Sequence, residues 1–90
     1  MSSRRSKLEI QLDILNAVRE GVEKPTRIMY AANMSWSPVK KMLDSLVDRE
    51  FLTVISTIGG KTVRNRYEIT EKGLSVLTYF KGAKKLVDIS

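Results

Sequence analysis

Apolar residues recur at helical spacing through the first part of the chain, with Leu8, Leu12, Ile14, Leu15 and Val18 near one face. Ser6 followed by Glu9 supplies the capping-box signal that starts such a helix, and Gly21 predicts its end. Lys24-Pro25-Thr26 predicts a short extended connection, because the residue before a proline is pushed out of the helical region. Thr26 is expected to cap a second helix with Ile28, Met29 and Ala32 inward. Asn33 is expected to stop it, since Asn tolerates the left-handed conformation, and Met34 follows as a core residue in the turn. Ser35 is the expected cap of a third helix, with Pro38 in its first turn, where no intrahelical N–H bond is lost. Val39, Met42, Leu43, Leu46 and Val47 then form the cleanest amphipathic stripe in the chain, leaving Trp36, Ser37, Lys40, Lys41 and Asp44 on the opposite face.

The period then changes. Phe51 to Ile58 is rich in β-branched residues, Gly59-Gly60 reads as a two-residue hairpin turn, and Thr62 to Ile69 returns as a second strand. That turn sets Leu52 opposite Tyr67, Val54 opposite Asn65 and Ser56 opposite Val63 on one, largely apolar face; Thr53, Ile55 and Thr57 share the other with Arg64 and Arg66. Thr70 is expected to cap a last helix whose apolar residues cover more than one face. Leu74 and Leu77 are assigned to the domain's own core, and Val76, Phe80, Ala83 and Val87, flanked by Tyr79 and Leu86, to a second stripe that a monomer would expose. Helix, link, helix, tight turn, amphipathic helix, Gly-tipped hairpin, helix is the order of a winged helix-turn-helix: mainly α (α+β), with a two-stranded wing and a C-terminal helix. The expected organisation is a basic N-terminal tail over 1–6, a winged helix-turn-helix domain over 7–70 and a dimerisation helix over 71–90.

Composition narrows the chemistry. The 90 residues contain no Cys and no His, so disulfides, zinc fingers and thiol nucleophiles are excluded, and the commonest general base and transition-metal ligand are missing. No catalytic residue, metal ligand, cofactor or small-molecule ligand is expected. No apolar run approaches the roughly 20 residues that span a bilayer, and the N-terminus lacks the apolar stretch of a signal peptide, so a cytoplasmic, nucleoid-associated protein without a membrane partner is expected. Sixteen Lys and Arg against ten Asp and Glu leave a net charge of +6. The basic residues are clustered: residues 24–41 hold Lys24, Arg27, Lys40 and Lys41 and no acid, whereas residues 8–23 hold Glu9, Asp13, Glu20 and Glu23 against Arg19. Such segregation is the footprint of a nucleic-acid contact when the basic segments share a face.

Lys24, the run Thr26-Arg27-Ile28-Met29-Tyr30, then Ala32-Asn33-Met34-Ser35-Trp36, Leu43 and Leu46 resemble the small archaeal winged-helix DNA-binding proteins, a family that includes chromatin-associated dimers joined by a C-terminal coiled coil. The resemblance covers residues 7 to about 74 and includes Tyr67-Glu68-Ile69-Thr70-Glu71-Lys72-Gly73, which is similar to the strand-to-helix signature that ends many wings. It implies duplex DNA as partner and a third helix that enters the major groove. The candidate contacts are Ser35, Trp36, Ser37, Lys40 and Lys41 on that helix. Lys61, Arg64 and Arg66 on the hairpin would meet the backbone or minor groove, Arg27 would anchor a phosphate, and Arg4 and Arg5 would form an N-terminal arm. The last helix is shorter than the long coiled-coil helix of the chromatin proteins, which favours a homodimeric transcriptional regulator. The competing readings are a winged helix used for protein–protein assembly, with Trp36 and Ile55 as its contact surface, and a non-specific architectural chromatin protein.

Overall fold

The computed structural model describes residues 6–89, with side chains over residues 6–80. Its order is α1 (Lys7–Arg19), α2 (Pro25–Ala32), α3 (Trp36–Asp48), β1 (Leu52–Gly59), β2 (Thr62–Ile69) and α4 (Glu71–Ile89). This is a winged helix-turn-helix, as expected. Ser6 and Glu9 close a reciprocal capping box at the start of α1: the Glu9 N–H donates to Ser6 Oγ at 3.1 Å and the Ser6 N–H to Glu9 Oε1 at 3.0 Å. The start of α2 differs from expectation. Lys24 is the cap and Pro25 the first helical residue, so Thr26 lies inside the helix. Proline's fixed φ suits that first position, where the missing N–H has no intrahelical acceptor.

Three helices stop by one device. After α1, Gly21 at φ 101° donates to the Val18 carbonyl while the Val22 N–H reaches Ala17. After α2, Asn33 at φ 54° donates to Tyr30 and Met34 to Met29. After α3, Glu50 at φ 67° donates to Val47 and Phe51 to Leu46. Each is the paired bonding of a left-handed stop, and in each the next residue, Val22, Met34 or Phe51, is apolar and packs against the core.

The core collects Ile14, Leu15 and Val18 of α1, Ile28 and Ala32 of α2, Val39, Leu43 and Leu46 of α3, Leu52 of β1, Tyr67 of β2 and Leu77 of α4. Leu8, although in the stripe of α1, is exposed in its first turn. The strands pair antiparallel with Leu52 opposite Ile69, Val54 opposite Tyr67, Ser56 opposite Asn65 and Ile58 opposite Val63. The register is therefore two residues from the expected one. The faces are unchanged, because side chains alternate with period two. The turn is Gly60-Lys61 rather than Gly59-Gly60, and positive φ at its first residue, Gly60, fits the twist of a two-residue hairpin. The Tyr67 N–H points away from β1 and donates to the Glu23 carbonyl at 3.0 Å, tying the hairpin's root to the α1–α2 link.

Gly73 fixes the rotation of α4. A Cβ there would run into the Phe51 carbonyl oxygen and sit 2.8 Å from Ile69 Cγ1, so only glycine lets the helix approach so closely. From that pivot, Val76, Leu77 and Phe80 follow at i+3, i+4 and i+7 and face inward. Val76, expected in the outward stripe, is half-buried against the core, and Leu74, expected in the core, is exposed.

Candidate nucleic-acid interface

Helix α3 is anchored by its inner face, where Val39, Leu43 and Leu46 are buried. Its outer face therefore has a fixed orientation, and its N-terminal end carries the expected cluster. Ser35 is the cap, yet its hydroxyl makes no capping bond to the helix and stays available for an external partner. Trp36 opens the first turn and is 41% exposed, high for so large an apolar ring. Ser37, Lys40 and Lys41 are exposed beside it.

The two lysines are not equivalent. Lys40 Nζ donates to both carboxylate oxygens of Asp44 one turn on, at 2.6 and 2.8 Å. That hydrogen bond holds the Lys40 ammonium above the usual lysine pKa, so it stays charged but engaged. Lys41 has no such partner among the described residues. On the hairpin the same contrast appears. Arg66 sits 3.6 Å from Glu23 and 3.8 Å from Glu68, whereas Lys61 in the turn and Arg64 have no carboxylate within reach among the described residues.

Two grooves flank the hairpin. One lies between α3 and the wing and is lined by Lys40, Asp44, Val54, Ser56, Asn65 and Tyr67; in it Ser56 Oγ donates to Asn65 Oδ1 at 2.8 Å. Burial raises the Tyr67 phenol above its usual pKa, keeping it a neutral hydrogen-bonding group there. The other runs between the start of α2 and the wing, bringing Lys24, Pro25 and Thr26 opposite Arg64, Asn65 and Arg66. Arg27 is exposed in the first turn of α2 but does not line this groove. Arg4 and Arg5 lie outside the described residues, as do the side chains of Ala83, Leu86 and Val87.

On α4, Tyr79 is 71% exposed, while Phe80 turns towards α1 and lines a groove with Leu12, Asn16 and Leu77. Sequence reasoning missed Tyr30, which is 76% exposed three residues after Arg27 and hence on the same side of α2; that spacing was the available signal. It also missed Asn65 and Ser56, whose opposition depended on the corrected register.

The sequence pattern of the winged helix-turn-helix family matches residues 4–88. The chain belongs to that family. It is similar to two uncharacterized proteins of Methanocaldococcus jannaschii. One is 36% identical over 78% of this chain and 64% of its own length, the other 31% identical over 96% of this chain and 37% of its own length. The chain thus spans less than two thirds of these relatives. Among solved structures, it is similar to Sso10a-2, a DNA-binding protein from Sulfolobus solfataricus, with 30% identity, a TM-score of 0.74, and coverage of 93% of this chain and 83% of the other. The archaeal resemblance read from the α2–α3 segment and the wing's exit is thereby met. No helix among the described residues is long and apolar enough to cross a membrane.

Proposed function

We propose that this chain binds duplex DNA as a homodimeric transcriptional regulator, with α3 in the major groove and the wing on the backbone or minor groove. The observation that carries the reading is the division of α3. Val39, Leu43 and Leu46 lock one face into the core, and Ser35, Trp36, Ser37 and Lys41 are held outward at the N-terminal end, the end that reaches base edges in this class of motif. Lys61 and Arg64 extend the cationic surface along the wing, Arg27 adds a cation at the start of α2, and Arg4 and Arg5 supply an arm by sequence. The similarity to Sso10a-2, described as DNA-binding, supports the same reading. No catalytic role is part of it: the chain has neither His, the commonest general base, nor a Cys thiol. The dimer contact in this reading is assigned to α4, Glu71–Ile89.

The test is a titration of labelled duplex DNA at rising salt. Affinity is expected to fall steeply, since each phosphate contact releases condensed counterions, and Lys41→Ala is expected to flatten the slope by about one unit. A folded protein that ignores duplex DNA even at low salt would transfer this surface to a protein partner.

A further inference from the structure

The wing ends in a feature that the core does not need. Its inward face is buried only at the root, where Leu52 and Tyr67 enter the core. Towards the tip, Ile58 and Val63 are directly opposite one another, one rung before Gly59 and Thr62, and they are 75% and 62% exposed. Among the large aliphatic side chains of the described residues none other is so exposed. Directly paired Cβ atoms on antiparallel strands lie about 5 Å apart, so the two side chains make one continuous apolar knob at the end of a narrow ribbon.

We propose that the Ile58–Val63 rung is a wedge that enters the minor groove of a bound duplex and partly unstacks a base step, bending the DNA. This rests on the duplex-binding reading above and assigns the tip a distinct role within it. Three observations select this occupant. The knob is two side chains wide, far below the roughly 1,000 Å² that a stable protein interface needs, but matched to a groove only about 6 Å wide. Its surroundings are cationic: Lys61 occupies the turn, Arg64 follows Val63, and no Asp or Glu occurs between Phe51 and Tyr67. The acids that neutralise Arg66, Glu23 and Glu68, are confined to the root. An apolar point between free cations complements a polyanion whose charge is on its rim and whose stacked bases lie within. Both residues are β-branched, so little side-chain freedom is lost on insertion.

Two measurements test the wedge. With the wild-type protein, a duplex carrying 2-aminopurine at a flexible pyrimidine–purine step should brighten on binding as stacking is lost, and a duplex labelled at both ends should show end-to-end shortening, consistent with a bend of about 20–90°. In the Ile58→Thr/Val63→Thr variant, which keeps β-branching at an exposed site, both signals should vanish and affinity should drop about tenfold. The salt slope should be unchanged, because no charge is altered. Binding by the wild type with neither brightening nor bending overturns the wedge while leaving the DNA reading intact. So does a double variant that still bends DNA, or one whose only defect is in self-association or in binding anionic vesicles. A wild-type protein that binds no duplex at all removes both readings, and the salt titration separates that case.

Discussion

Glu50 holds a backbone conformation that suits glycine. Its φ of 67° lies in the left-handed region, where a side chain costs about 1–2 kcal/mol, and its carboxylate offers little return, reaching Lys72 only at 4.0 Å in an exposed pair. Glu50→Gly is therefore expected to stabilise the domain by about 0.5–1 kcal/mol, after allowing for the greater freedom of glycine in the unfolded chain. Thermal denaturation would register this as a midpoint several degrees higher. Gly73 is the converse case. Gly73→Ala improves helix propensity by about 1 kcal/mol but drives a methyl into the Phe51 carbonyl and Ile69, and a net loss of about 2–3 kcal/mol is expected in urea unfolding. Gly21 and Asn33 were legible as stops because their residue types advertise left-handed backbone. Glu50 was not, since nothing in a glutamate signals it; only the apolar Phe51 after it marks the pattern.

At the scale of elements, the third helix and the wing divide their charges in a similar way: each engages one cation, Lys40 or Arg66, with nearby carboxylates, and leaves others, Lys41 on the helix and Lys61 and Arg64 on the wing, unpaired among the described residues. Asp44 both holds Lys40 and places a negative charge on the helix proposed to meet phosphate. Asp44→Asn should release the lysine and remove the repulsion. Affinity for two unrelated duplexes should rise several-fold, with a salt slope steeper by about one, in fluorescence anisotropy; equal binding by both proteins would mean that Asp44 lies off the DNA. The helices themselves were readable from period and caps, and α3 most plainly, because Val39, Met42, Leu43, Leu46 and Val47 fall on one stripe, with Trp36 alone among its large apolar residues off it. The hairpin's faces were readable too, but its register was not. Two adjacent glycines allow two turn placements of equal face parity, and the choice is made by packing at the root, where Tyr67 is buried and bonded to Glu23. The same limit explains α4: its apolar residues fit more than one rotation, and Gly73, unremarkable as a letter, selects one.

For the whole molecule, that rotation changes which residues can join two copies. With Val76 and Phe80 turned towards the domain's own core and α1, Tyr79 marks the exposed side of α4, and in the sequence Ala83 and Leu86 follow it at i+4 and i+7, the spacing expected of a coiled-coil seam. Tyr79→Glu is expected to convert a dimer to a monomer in sedimentation at tens of micromolar without lowering the unfolding midpoint, whereas Phe80→Glu should disturb the α1–α4 contact as well. A two-fold dimer would set its two α3 helices about 34–36 Å apart, one helical turn of DNA. A wild-type monomer at those concentrations would remove this arrangement. Trp36 then acquires a use beyond any contact it makes. It is the only tryptophan in the chain, and it stands at the outer end of α3 rather than in the core. Its emission therefore monitors the proposed interface more than the packing of the interior, and the native chain carries a built-in optical probe of its own ligand that requires no label.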